Sequence, residues 1–330
     1  MNRIDRRRFV LAAGALLAVR PAMAQRPPDR GHLVGILQRS TRADAVQEHA
    51  AFSEGLREGG FVEGQNLRIE SRYADYDHRK LDRLAEELVR AKVEVIYAPT
   101  TWPAYAAQAA TKTIPIVFSG VNDPVRIRLV QSLARPGGNI TGTSEASTEL
   151  TAKRVQMMWE LFPGGGRLGV IYDEDSAKAC QLELKDIGIA GKALGVDVLQ
   201  IPYAAKADLQ EAFKSARRAN IAALLIPTTY ETRRFGTELA SQSSSSRIPM
   251  IHSGSEAVEA GGLMSYGPER NWGRRRAGNY VARLLKGTNP ADLPVEQPTR
   301  YELVINLKTA RTLGITIPQS VLLRADRVIE

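Results

Sequence analysis

VEVIYAPTTWPAYAAQAATKTIPIVFSG, residues Val93–Gly120, is the stretch on which the reading of the fold turns. VEVIYAP is an apolar, β-branched run of strand length, Pro103–Thr111 is helix-like, and IPIVFSG is a second strand-like run. A strand, a helix and a strand in close succession form a βαβ unit, whose two strands lie parallel because the helix carries the chain back to the same end of the sheet. The pattern extends upstream. HLVGILQ (His32–Gln38) precedes a helical stretch, Ala43–Glu58, with Phe52 and Leu56 on one side. NLRIESRY (Asn66–Tyr73) precedes Lys80–Lys92, whose Leu81, Leu84, Leu88 and Val89 share a face. Downstream of Gly142 a second series begins with a long helix, Glu149–Leu161. Strand-like RLGVIYD (Arg167–Asp173), VDVLQIPY (Val196–Tyr203), AALLIP (Ala222–Pro227) and IPMIHSG (Ile248–Gly254) then alternate with helices. The expected fold class is therefore α/β, with two doubly wound, Rossmann-like lobes. The length of 330 residues agrees, since single cores tend to split beyond roughly 250 to 300 residues. The tail Glu269–Glu330 holds one helix (Trp272–Lys286) and one strand-like run (Tyr301–Leu307), too little for a third domain. It is assigned to both lobes, giving 31–143 plus 267–295 for the N-terminal lobe and 144–266 plus 296–330 for the C-terminal one.

Residues 1–24 read differently. A basic start (Arg3, Arg6, Arg7, Arg8), an 11-residue apolar run (Phe9–Val19) and Ala22-Met23-Ala24 make a cleavable export signal. The run is too short for a bilayer core of ~30 Å. Arg6-Arg7-Arg8-Phe9-Val10 resembles a twin-arginine motif, with Asp5 where Ser or Thr is usual, and 25–30 reads as a linker. The segment holds five arginines and one aspartate, so it carries +4 of the formal +9 and leaves about +5. That residue of charge serves solubility, and no interleaved aromatics mark a nucleic-acid surface. Arg233-Arg234 and Arg274-Arg275-Arg276 are expected to be solvated helix faces. Cys180 is the only cysteine, which excludes an intrachain disulfide and leaves no lipid attachment point after the apolar run. The expected location is the periplasm, free of an anchor, as a monomer.

Ligands of open parallel sheets bind outside the carboxyl ends of the strands. In the first lobe this singles out Gln38 and Ser40, Thr100 and Thr101, and Ser119, Asn122 and Asp123, with Ser144 closing the last strand, Asn139–Ser144. In the second it singles out Asp173 and Ser176, Thr229 and Tyr230, and Ser253 and Glu256. Hydroxyls here suit a carboxylate, whereas Asp123, Asp173 and Glu256 suit an ammonium group. Asp123-Pro124 also reads as the start of a helix over Val125–Leu133. No metal site or cofactor is expected: His32, His49, His78 and His252 are scattered, with no HExxH or CxxC. GILQRSTRAD replaces the glycine-rich dinucleotide turn after the first strand, and no Gly-x-Ser-x-Gly elbow occurs. An enzyme is the weaker reading, with a ligand sensor of the same fold as the other alternative.

Several motifs carry a resemblance. FSEGLREGGFVEGQNLRIESRYAD (Phe52–Asp75), NDP...LVQSLARPGGNITG (Asn122–Gly142), AVEAGGLMSYGP (Ala257–Pro268) and PADLPVEQPTRYELVINLKTARTLGITIPQSVLLRAD (Pro290–Asp326) are similar to ABC-transporter substrate-binding proteins. That family includes tryptophan- and tyrosine-associated binding proteins. The resemblance implies a type I periplasmic-binding-protein fold with three crossovers, a small-molecule solute between the lobes, an ABC permease as partner, and no chemistry. The favoured solute is an amino acid or an amino-acid-like amine or aromatic compound. Two departures stand out: Arg126 and Arg128 where a Gly-rich turn is common, and Asp173-Glu174-Asp175 where Asn and Pro often follow the strand.

Overall fold

A computed structural model of the chain describes residues 31–145, 147–162, 166–174 and 177–330. The expected export signal and linker, and Ser176, lie outside the described residues, as does the side chain of Tyr230.

The first sheet is built from β1 (His32–Gln38), α1 (Arg42–Glu58), β2 (Leu67–Tyr73), α2 (Leu81–Arg90), β3 (Val95–Pro99), α3 (Thr101–Ala110), β4 (Ile116–Val121) and β5 (Ile140–Ser144). Its five strands are all parallel, in the order β2-β1-β3-β4-β5. Successive side chains of a strand point to opposite faces, and β4 shows why both faces must be covered. Ile116 and Phe118 pack into a core with Leu84, Leu88 and Ala104, while Val117 packs on the other face with Phe52, Leu56 and Tyr280. Phe52 and Tyr97 stack with ring centres 4.1 Å apart and planes nearly parallel.

The chain then forms α4 (Ser147–Glu160), β6 (Arg167–Asp173), α5 (Ala177–Ala193), β7 (Asp197–Tyr203), α6 (Leu209–Arg218), β8 (Ile221–Leu225), α7 (Tyr230–Arg234), α8 (Gly236–Ser246), β9 (Met250–His252), α9 (Ser255–Glu259) and β10 (Met264–Pro268). It returns to the first sheet for α10 (Trp272–Leu285), and crosses again into β11 (Tyr301–Asn306), α11 (Leu307–Leu313), α12 (Gln319–Leu322) and β12 (Arg327–Ile329). The second sheet runs β12-β11-β10-β9-β8-β6-β7 and is parallel except for the antiparallel β10–β11 pair. Three crossovers thus join the two lobes, and His32–Glu330 form one compact unit.

α10 belongs to the first lobe because two glycines let it meet α1 backbone to backbone. A Cβ on Gly55 would fall 1.9 Å from the carbonyl oxygen of Arg275, and one on Gly278 would fall 2.2 Å from that of Phe52. Any side chain at either site would force the helices apart.

Three expectations fail locally. No helix spans Val125–Leu133: Asp123 does accept from the Arg126 N–H at 3.0 Å, as a cap would, but the segment closes into turns and Arg128 takes a φ of 60°. That left-handed residue ends the helical path after one turn. β10 and β12 are strands that the alternation does not announce: β10 ends in Gly267-Pro268 and β12 has only three residues. The arginine clusters are not simply solvated, as the site shows. The segment Gly137-Gly138-Asn139, by contrast, is the expected turn, with φ of 76° and 68° at the two glycines.

Candidate ligand-binding cleft

The carboxyl ends of both sheets meet across one cleft. From the first lobe come Arg39 after β1, Pro99–Trp102 after β3, and Ser119, Gly120 and Asn122 after β4, with Glu145 past β5. The second lobe supplies Thr228 and Thr229 after β8, Arg233 on α7, and Ser253, Gly254 and Glu256 after β9; the crossover 268–274 closes one side. The empty space, counted out to the open mouth, is about 1050 Å³.

Seven of the residues singled out from sequence line this cleft: Thr100, Thr101, Ser119, Asn122, Thr229, Ser253 and Glu256. Three of them are already engaged. Ser119 shares a hydrogen bond with the Tyr97 hydroxyl at 2.7 Å. Thr229 caps α7 by accepting from the Thr232 N–H at 3.0 Å and donates to Asp173 at 3.2 Å. The Asn122 amide donates across the cleft to Glu183 at 3.2 Å and to the Thr228 carbonyl at 3.1 Å. The Oγ1 of Thr100 and the Oγ of Ser253, in contrast, are buried without a hydrogen-bond partner. Buried hydroxyls are ordinarily satisfied, so two orphans on residues that line one cleft mark a place for a ligand.

Thr100 adds a second sign. It holds φ 70° and ψ 173°, a conformation costing a β-branched residue about 1–3 kcal/mol, and its N–H is tied to the Ser119 carbonyl at 2.7 Å. The strained residue sits at the N-terminus of α3, inside the cleft lining.

The remaining sequence candidates stand outside the lining. Gln38 is buried against Glu48, with 2.5 Å between its amide and the carboxylate, and Ser40 is fully buried behind it. Ser144 donates to the Asn122 carbonyl at 2.9 Å, so it braces the loop instead of facing the cleft. Asp173 is buried behind Thr229, and Asp123 caps its own turn.

What the strand-end rule passed over is the set of arginines. Arg39 reaches into the second lobe and pairs with Glu231 at 3.0 Å, with side-chain exposures of 5% and 10%. Burial pushes the Glu231 carboxyl up; Arg39 pulls it back, while neighbouring Asp173 adds to the rise. Arg233 grips both oxygens of Glu145, at 2.9 and 2.8 Å. Arg234 lies 3.6 Å from the centre of the Tyr76 ring. Arg274 pairs with Glu48 at 3.3 Å. Arg126 does not line the cleft: it stays part-exposed and binds Asp186 on α5 at 2.6 and 3.2 Å. Since Glu183 and Asp186 are three apart, one face of α5 receives both Asn122 and Arg126 from a single loop of the opposite lobe. These contacts hold the lobes together. Arg128 takes no part in them and is exposed.

Glu256 completes the electrostatics. Burial pushes its carboxyl up, but Arg233 and its own backbone N–H outweigh that, so it lies below the usual carboxylate range. His252 underlies it. Its Nδ1 accepts from the Gly254 N–H at 2.9 Å, which places the proton on Nε2, 3.3 Å from the Thr232 carbonyl. Burial drives this imidazole down to about 4, so it is neutral. No cluster of three or more His, Cys, Asp or Glu suited to a metal occurs among the described residues, and no described helix is long and apolar enough to cross a membrane. Burial pushes the Cys180 thiol well up, so it is not a reactive thiolate.

Comparison with known proteins agrees with this architecture. The chain is 28% identical over 282 residues to the tyrosine-binding protein of Clostridioides difficile (strain R20291), covering 86% of this chain and 81% of that one. A conserved domain protein from Vibrio cholerae superposes with a TM-score of 0.82 at 28% identity, covering 91% of this chain and 100% of the other. An ABC domain from Streptococcus pneumonia in complex with L-Trp gives 0.81 at 26% identity, again covering 91% and 100%. Two α/β lobes matching these structures have the type I periplasmic-binding-protein fold. A family model for the ABC transporter substrate binding protein matches residues 35–329, and the chain belongs to that family.

Proposed function

We propose that this chain is the extracytoplasmic, monomeric binding component of an ABC importer and that it closes on an aromatic amino acid, which it presents to a permease. The observation that carries the ligand reading is the pair of unpartnered hydroxyls, Thr100 Oγ1 and Ser253 Oγ, lining the same cleft as the ionised Glu256. Neutral donors suit a carboxylate, and a buried carboxylate suits an ammonium group. Trp102 and Trp272 line the cleft as well and supply flat apolar walls for a ring. The tyrosine-binding relative and the L-Trp complex support the same choice. The work of the protein is then a ligand-biased equilibrium between open and closed lobes, with no bond made or broken.

A thermal-shift screen of amino acids, amines, aromatic acids, sugars and phosphate esters tests this. A ligand at ~100 times its dissociation constant stabilises the fold by ~2.7 kcal/mol. The expected result is a shift with L-Tyr or L-Trp. A clear shift from a sugar or phosphate ester, with none from any amino-acid-like compound, would overturn the ligand class.

A further inference from the structure

We infer that Arg126 is a positioning residue for binding: with Asn122 it forms a clasp between the lobes that stands apart from the ligand, so it sets how tightly every solute is held without choosing among solutes. The ligand-free protein then populates the closed form before a solute arrives. This rests on the reading of the chain as a two-lobed binding protein, and is independent of which solute fills the cleft.

The clasp is one loop on one helix face. Asn122 and Arg126, in the loop after β4 of the first lobe, meet Glu183 and Asp186 on α5 of the second. The Arg126 guanidinium donates to both Asp186 oxygens, at 2.6 and 3.2 Å, and 35% of the arginine side chain is exposed against 8% of the aspartate's. Two such bonds fix the approach of the loop as well as matching its charge. The other interlobe ion pairs act on the solute and on closure at once, because Arg39, Arg233 and Glu145 line the cleft. Arg126, Glu183 and Asp186 do not. Asn122, at the inner end of the clasp, does, so a cleft-lining amide is held in place from outside.

The seat on the second lobe is built from that lobe's own groups. Glu183 is 1% exposed and accepts from Arg154 at 3.0 Å and from the Thr228 N–H at 2.9 Å. The Arg154 Nε donates in turn to the Tyr266 carbonyl of β10 at 3.1 Å, just ahead of the second crossover. Parting the lobes leaves all of these bonds in place. On the first lobe the loop is pinned likewise: Ser144 donates to the Asn122 carbonyl at 2.9 Å, and Asp123 accepts from the Arg126 N–H at 3.0 Å. Both halves are therefore preorganised, and joining them orders little beyond the Arg126 side chain. Where only the closed form binds well, apparent affinity scales with the fraction of protein already closed. A contact that favours closure and does not touch the solute multiplies every affinity by one factor.

Calorimetric titration of L-tyrosine and L-tryptophan into the parent and Arg126→Ala tests this, together with distances in the ligand-free protein. Both amino acids are expected to bind about tenfold more weakly to the variant, between the effect of an exposed pair and that of a buried one, with the ratio of their affinities unchanged. Arg126→Asp should weaken both further, and combining it with Asp186→Arg should recover them. For the distances, spin labels go on Val46→Cys in the first lobe and Leu323→Cys in the second, positions 65% and 77% exposed, while Cys180 is buried and stays unlabelled. Double electron–electron resonance should give two distance components, whose balance shifts in the same direction in Arg126→Ala and in the parent at ~1 M salt, where the Debye length falls to ~3 Å. Equal affinities in parent and Arg126→Ala, or identical ligand-free distances, would overturn the inference. So would a change in the affinity ratio, which would place Arg126 on the solute. Binding of neither amino acid to the parent would overturn the solute reading alone, and the ligand-free distances still decide the clasp.

Discussion

Replacing Arg39 by Met removes the cationic half of a buried pair that joins the two lobes. Arg39 and Glu231 lie 3.0 Å apart, with 5% and 10% of their side chains exposed. Removing one partner of a buried ion pair costs about 3–5 kcal/mol, mostly because the other charge is left without compensation. Arg234 stands 3.7 Å from Glu231 and offsets part of this, so the lower end, ~3 kcal/mol, is the appropriate figure. Parting the lobes would return both groups to water, so the loss falls on the closed form alone. At 1.4 kcal/mol per decade, ligand affinity should drop about 100-fold with little change in the stability of the ligand-free protein. The effect has a pH signature. Burial has already raised the Glu231 carboxyl, and without Arg39 it takes up a proton more readily, so the penalty should shrink as the pH is lowered. The assay is calorimetric affinity in a double-mutant cycle with Glu231→Gln. Removing both charges together should recover most of the affinity, with a coupling of ~1.5 kcal/mol or more. Unchanged affinity in Arg39→Met would refute the role of the pair in closure. Additive losses in the double variant would mean that Arg39 acts on the ligand directly.

Other substitutions separate scaffold from site. Gly278→Ala places a methyl group 2.2 Å from the Phe52 carbonyl oxygen, a backbone atom that cannot swing aside; thermal unfolding should show a loss of ~1–3 kcal/mol or more with ligand affinity retained. Glu183→Ala strands Arg154, whose pair with it at 3.0 Å is almost fully buried, and should lower stability in denaturant melts by ~3–5 kcal/mol. His252 titrates at about 4 in the fold and at ~6.5 when unfolded. The unfolded chain therefore binds more protons between these values, and stability should fall as the pH drops through that window. In His252→Asn the stability curve should be flatter there; parallel curves for variant and parent would sink this assignment.

The alternation of apolar runs and amphipathic helices carried most of the fold, because a strand buried on both faces has to be apolar throughout. RLGVIYD was read as a strand over Arg167–Asp173 and is β6 with those ends. Reading failed where local pattern and tertiary context parted. The periodic VRIRLVQSL promised a helix, yet Arg128 at positive φ turned it aside, and the loop instead delivers Arg126 to Asp186. The strand-end rule found the cleft loops but not which side chains within them matter. Arg39 stood inside a loop already singled out, between Gln38 and Ser40, and was passed over because its partner Glu231 belongs to the other lobe. Arg233 was read as solvated for the same reason: Glu145, its partner, lies 88 residues away along the chain. Charge pairing across a cleft leaves no periodic trace in sequence. Glu256 was visible as a candidate from its position, whereas the ionised state that Arg233 and its own backbone N–H give it is a property only the folded arrangement has.

A crystal structure of the protein with L-tyrosine or L-tryptophan decides the ligand's placement. The amino acid should lie between the lobes, its ammonium group within hydrogen-bond reach of Glu256, and its carboxylate on the hydroxyls of Thr100 and Ser253. An amino acid seated elsewhere, or in the cleft with its carboxylate toward Glu256, would contradict it.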